Sequence, residues 1–132
     1  MLLTRATEYA LLSLDSIRKS DKPIGAEQLA NELNIPKSFL AKILQSLAKQ
    51  GILESRKGAH GGFVLAQKVD EITINSVILA AEGKPPAVFD CVSYSATCPQ
   101  GAIGTCAISP FLANFQTKID DFLNGLTLED IL

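Results

Sequence analysis

The sequence has almost no histidine, the side chain most often used as a general base. It holds one histidine, His60, in a glycine-rich stretch far along the chain from the three cysteines. A serine or thiol nucleophile needs a base within hydrogen-bond reach. No Ser/His/Asp or phosphate-loop motif occurs, and the glycines from Gly58 to Gly62 lack the spacing of a nucleotide fingerprint. These gaps argue against an enzyme. No apolar run approaches the roughly 18–20 residues of a membrane span, which argues against a membrane protein. The first apolar stretch is broken by Arg5 and Glu8, and no small-residue cleavage site follows, unlike a signal peptide. A cytoplasmic protein is expected, in which cysteines stay reduced; an odd count of three also fits a disulfide framework poorly. Internal repeats and low-complexity segments are missing too. With 132 residues, 47% of them apolar and 20% charged, the chain suits one domain with a real core, not a disordered segment.

The net charge of −2 and pI near 5.3 would, taken alone, argue against nucleic acid. The average hides a split. Residues 1–68 hold ten Lys and Arg against six Asp and Glu, a balance of +4; residues 69–132 hold two against eight, a balance of −6. A basic front and an acidic back suggest two jobs in one small protein.

Periodicity predicts a helix from Thr4, a plausible N-cap, to about Arg18, with Tyr9, Ala10, Leu14 and Ile17 on one face. Ser20-Asp21-Lys22-Pro23 breaks it. A short helix over Ala26–Leu33 follows, then a turn at Asn34-Ile35-Pro36. A third helix from Lys37 to about Gln50 buries Leu40, Ile43, Leu44 and Leu47 and ends at Gly51. Ile52–Arg56 and Phe63–Ala66 read as short strands joined by a glycine loop whose backbone bends freely or approaches something closely. Thr73 caps a helix bearing Ile74, Val77, Ile78 and Ala81, ending at Gly83. Residues 84–108 look irregular and hold all three cysteines. Ser109-Pro110 reads as an N-cap with proline at the first helical position, opening a helix that Gly125 stops. Thr127 to Asp130 resembles a capping box for a last short helix. The expected fold is mainly α: a winged helix-turn-helix with a two-stranded β wing, followed by a cysteine loop and a last long helix.

Several segments resemble the Rrf2 family of bacterial transcription regulators. They are the opening Leu3-Thr4-Arg5-Ala6-Thr7-Glu8-Tyr9-Ala10-Leu11, the run Leu47-Ala48-Lys49-Gln50-Gly51-Ile52-Leu53, and the wing Lys57-Gly58-Ala59-His60-Gly61-Gly62-Phe63. Ile72-Thr73-Ile74, Ala81-Glu82-Gly83, three spaced cysteines and Leu126-Thr127-Leu128-Glu129-Asp130 follow in the family's order. The resemblance implies a homodimeric winged-helix repressor or activator in the bacterial cytoplasm, at the nucleoid, on a palindromic operator in double-stranded DNA. It divides the chain into a DNA-binding unit with its linking helix (1–83), a cysteine-bearing sensor loop (84–108) and a dimerisation helix with a C-terminal cap (109–132).

A recognition helix needs small, polar or basic side chains near its N-terminal end. Lys37, Ser38, Phe39, Lys42 and Gln45 meet that need, with Ser46 beside them; Lys42 and Gln45 lie opposite the leucine stripe. Phe39 contacts DNA or packs the turn, and Lys49 reads as solvated. On the wing the candidates are Arg56, Lys57, Gly58, His60 and Gly61. The family usually has Arg-Gly at the wing entry; here Arg56-Lys57-Gly58 displaces the arginine by one place.

Cys91, Cys98 and Cys106 are separated by six and then seven residues, with no Cys-x-x-Cys and no histidine nearby. A structural zinc site wants four ligands in tight pairs. Thiolates on an irregular segment suit soft iron in a cluster, while a disulfide switch and plain buried thiols remain alternatives. The resemblance implies an iron–sulfur cluster, 2Fe–2S or 4Fe–4S, that sets DNA affinity, or control by thiol chemistry, a partner protein or a small ligand. In some relatives a histidine just after the third cysteine is a ligand; here Ala107-Ile108-Ser109 follows. In others an acidic residue of the partner subunit's first helix fills the fourth place, which Glu8 occupies here; the plain reading of Glu8 is a first-turn carboxylate favoured by the helix dipole. Phe111, Leu112, Phe115, Ile119, Phe122 and Leu123 make the last long helix too apolar for a surface element. Alone it reads as core; with the resemblance it is the dimer helix.

Overall fold

The computed structural model describes residues 3–87 and 106–132. Its elements are α1 (Arg5–Lys19), α2 (Ala26–Leu33), α3 (Lys37–Lys49), β1 (Leu53–Arg56), β2 (Gly62–Leu65), α4 (Ile74–Glu82), α5 (Ser109–Gly125) and α6 (Leu128–Ile131). This is the expected mainly helical winged helix-turn-helix. β1 and β2 pair antiparallel in the register Leu53↔Leu65, Glu54↔Val64, Ser55↔Phe63, Arg56↔Gly62.

The stripes named from periodicity form the core. Ala10, Leu14 and Ile17 of α1, Leu29 and Ala30 of α2, and Leu40, Ile43, Leu44 and Leu47 of α3 are buried in one cluster with Ile74, Val77 and Ile78 of α4. In α4 it is Ala80, not Ala81, that is buried with them. The cluster also takes in Leu123 of α5 and Leu128 of α6, so the C-terminal segment shares the core of the winged helix.

Local chemistry sets the ends. Asn34 adopts a left-handed conformation (φ 55°) after α2, and Gly51 (φ 78°) and Gly83 (φ 76°) do so after α3 and α4. The Thr73 side chain accepts a hydrogen bond from the Ser76 amide at 3.1 Å, capping α4. The capping box of α6 is present, with the Thr127 amide donating to Asp130 Oδ2 at 2.9 Å.

Three local expectations change. Thr4 stands at the N-cap of α1, but its hydroxyl bonds to Glu82 on α4 and not to its own helix. At α5 the N-cap is Ile108, and Ser109 is already helical, because the proline favours the first turn rather than one fixed place in it. Gly125 is the last residue of α5, not the residue beyond it.

Two backbone contacts have no periodic signal in the sequence. Ile24 forms an isolated antiparallel bridge with Phe63, the two exchanging N–H···O bonds of 3.2 and 2.8 Å. Thr73 pairs likewise with Thr127, flanked by Ile74 N–H to Leu126 O (2.8 Å) and Leu128 N–H to Ile72 O (2.9 Å).

Candidate nucleic-acid interface and cysteine region

Helix α3 opens after Pro36 and presents its apolar stripe inward, so the opposite face is left to solvent. Ser38, Lys42 and Gln45 follow one another at i, i+4 and i+7 and are all exposed. Lys42 makes no ion pair among the described residues, so its charge is available to an external phosphate or base. Lys37, at the first turn, reaches Glu27 of α2 at 3.4 Å. That pair is more than half exposed on both sides, and such pairs hold little energy in water. Phe39 packs edge-on against Tyr9 of α1, with ring centroids 5.6 Å apart. It is still 42% exposed, so packing the turn does not use up its surface.

The wing projects Arg56, Lys57 and His60, all exposed and without an ion pair among the described residues. Its shape depends on glycines. Gly58 has φ 109°, and the Gly61 amide donates to the Gly58 carbonyl at 3.0 Å. A Cβ on Gly61 would come within 2.3 Å of the Arg56 carbonyl oxygen. The two glycines close the loop that carries the cations.

Not every cation is free. Arg18 and Lys19 pair with Asp15 at 3.1 and 2.8 Å. The Lys19 hydrogen bond, with the nearby charges of Lys19 and Arg18, holds the Asp15 carboxyl below its ordinary value against a smaller opposing effect of burial. The basic balance of the front half therefore concentrates on α3, which carries Lys37, Lys42 and Lys49 and no acidic residue, with Arg56 and Lys57 on the wing; on the α1–α2 connection Lys22 stands beside Asp21.

Only part of the proposed ligand set falls within the described residues. Cys106 is half-buried and carries a free thiol; its carbonyl accepts the Ser109 amide at 3.2 Å as α5 begins. Cys91 and Cys98 lie outside the described residues. Glu8 is exposed on α1, its side chain 52% accessible, and paired with Arg5 at 2.8 Å.

The approach to the cysteine segment is tied down by side chains that periodicity does not single out. Glu82, at the end of α4, accepts hydrogen bonds from both Thr4 and Thr7 on α1, the latter at 2.8 Å with Thr7 fully buried. Gln116, buried on α5, donates to the Pro86 carbonyl (2.9 Å) and to Asp120 (2.8 Å). A polar residue amid the apolar stripe of α1 was the available sign for Thr7, but its partner lies 75 positions away.

Helix α5 has two stripes rather than one apolar face. Leu112, Gln116 and Leu123 are buried and Ile119 packs against the core, whereas Ile108, Phe111, Phe115 and Phe122 point outward. Phe111 and Phe122 are each 63% exposed. No helix among the described residues is long and apolar enough to cross a membrane.

Comparison with known proteins bears on this arrangement. The family model Rrf2, described as an iron-dependent transcriptional regulator, matches residues 3–132. A candidate HTH-type transcriptional regulator of Aquifex aeolicus is 31% identical over the whole chain and 92% of its own length. The HTH-type transcriptional repressor NsrR of Streptomyces coelicolor is 28% identical, covering all of this chain and 88% of its own. Among solved structures, CymR, the global cysteine regulator of B. subtilis, superposes with a TM-score of 0.70 at 22% identity, over 99% of this chain and 95% of that one.

Proposed function

The chain belongs to the Rrf2 family of transcription regulators, and from that premise we propose that it acts as a homodimer reading a palindromic operator in double-stranded DNA. Its relatives are regulators and not enzymes. The observation that carries the reading is the exposed face of Ser38, Lys42 and Gln45 on α3, together with the exposed Arg56, Lys57 and His60 on a glycine-shaped wing. Ser38, Gln45 and Lys42 address base edges and phosphates in the major groove, Lys37 and Phe39 flank them, and the wing follows the backbone toward the minor groove. Residues 1–83 serve as the DNA-binding unit with its linking helix, 84–108 as the sensor segment, and 109–132 as the dimer helix and cap.

The outward stripe of α5 supports the homodimer. Ile108, Phe111, Phe115 and Phe122 recur at spacings of three, four and seven, the pattern of a coiled-coil seam. A second copy of the same helix covers such a stripe symmetrically.

For control, an iron–sulfur cluster at Cys91, Cys98 and Cys106 is the leading reading. The described part of the donor set fits it chemically. Cys106 offers a free thiol, a soft ligand once deprotonated. Glu8 offers a carboxylate held only by a surface pair and accessible to another subunit. When bound, the cluster supplies iron that responds to oxidants and to cluster supply. The chain's own part is to hold the ligands: Thr4 and Thr7 fix Glu82 at the entry to the segment, and α5 carries Cys106 immediately before its first turn. A second reading, thiol or disulfide control without a cluster, is favoured by the partial exposure of Cys106.

The DNA reading is tested by mobility shift on genomic fragments. Lys42→Ala and Arg56→Ala should weaken binding, each lowering the slope of log affinity against log salt by about one unit if a phosphate contact is lost. Unchanged affinity and slope in both would refute the assignment. Anaerobic purification with visible absorption and iron and sulfide analysis, on wild type and Cys98→Ala, separates the two control readings. A colourless, iron-free wild type removes the cluster.

A further inference from the structure

Between the α1–α2 connection and the wing lies an open cleft of about 580 Å³, lined by Ser20, Lys22, Pro23, Gln28 and His60 among others. We propose that this cleft holds a phosphate group of the DNA backbone, with Lys22 as a contact residue beside His60; the proposal rests on the DNA-binding reading above and extends it to a part of the fold outside the helix-turn-helix.

Four observations converge. First, Lys22 and His60 supply cationic and hydrogen-bonding capacity, no carboxylate lines the cleft, and neither residue makes an ion pair among the described residues. Second, the walls are fixed in relation to each other. The Ile24–Phe63 bridge joins the connection to the wing, and Gly62 lets the two backbones meet so closely that a Cβ there would lie 2.5 Å from the Ile24 carbonyl carbon. Third, Lys22 itself is pre-set: the Ser20 hydroxyl donates to its carbonyl at 2.8 Å and accepts its amide at 3.2 Å, and Pro23 follows. The exposed ammonium thus stands on a held backbone. Fourth, the cleft and the start of α3 both reach helix α2. Lys37 at the start of α3 reaches Glu27 on the first turn of α2, and the next residue, Gln28, lines the cleft.

The size suits the assignment. The cleft is far larger than the ~30 Å³ of a single water, so it admits a stretch of sugar and phosphate. Its lysine makes no base-shaped fork and acts as a point charge on phosphate. The contact should therefore be indifferent to sequence.

Fluorescence anisotropy is measured with a duplex selected from genomic fragments by the wild-type protein and with a scrambled duplex of equal length, between 50 and 200 mM salt. Lys22→Ala should weaken binding to both duplexes by about fivefold and lower the salt slope by about one unit; Lys22→Arg should restore both. Thermal melting should be unaffected, since Lys22 is exposed. An unchanged slope and affinity while the wild type binds DNA would overturn the cleft assignment and leave the DNA reading standing, as would a loss confined to the selected duplex. If the wild type binds no duplex, both fall together. Inorganic phosphate titrated alone, followed by amide NMR, distinguishes the source. Saturation at low millimolar phosphate with DNA affinity insensitive to Lys22 would assign the cleft to a free anion and overturn the proposal.

Discussion

At Gly62 a single missing side chain decides how the wing is mounted. Its φ of 148° and its closeness to the Ile24 and Gly25 backbone leave no room for a Cβ. Gly62→Ala should destabilise the protein by about 2–3 kcal/mol through strain and a displaced bridge, seen as a lower urea midpoint. It should also weaken DNA binding more than the substitution of any one wing cation. Retained stability would mean that the bridge contributes little. Glu82 is the corresponding residue at the other end. It gathers two threonine hydroxyls, one of them buried, where an unpaired hydroxyl would be costly.

Among the elements, α3 was the most legible in the sequence. Leu40, Ile43, Leu44 and Leu47 mark the buried stripe without ambiguity, and the exposed face follows by subtraction. The wing was legible from its glycines, though what those glycines approach was not, because Ile24 is a one-residue strand that leaves no alternation to read. Helix α5 shows the converse limit. Its apolar residues were visible, but their sorting into two stripes depends on where α4 and the core sit. The tie from Gln116 to Pro86 is of the same kind, since a hydrogen bond to a backbone carbonyl 30 positions away has no sequence signature. The outward stripe carries the prediction for this scale. Phe111→Ser with Phe122→Ser should convert a dimer into a monomer at micromolar concentration, measured by sedimentation, with helical content retained because both rings lie outside the core of the single chain. A wild type that sediments as a monomer would refute the homodimer.

Over the whole molecule, the charge split acquires a physical place. Helix α3 carries three lysines and no acid and the wing carries Arg56 and Lys57, while α5 and α6 carry Asp120, Asp121, Glu129 and Asp130 against Lys118. The whole-chain pI averages two segments of opposite charge. The core, by contrast, is not split. Leu128 is fully buried in the same cluster as Leu14 and Leu44, and the Thr73–Thr127 bridge draws the last turn back onto the middle of the chain. Unfolding should therefore be a single transition. Leu128→Ala should cost about 3 kcal/mol and lower the midpoint by roughly 10 °C, measured by calorimetry at fixed protein concentration. A separate low-temperature step would show that the C-terminal segment melts on its own.

The Ile24–Phe63 bridge has a consequence for how such a molecule could be switched. A hairpin free at its base could swing, and its grip on a groove could be graded within one subunit. Here the hairpin is stitched to the body, so the helix and the wing form jaws of fixed gape. In a pair of such subunits the adjustable quantity is the angle at which two rigid jaws are hinged, as in calipers, and a controlling signal would act by setting the hinge.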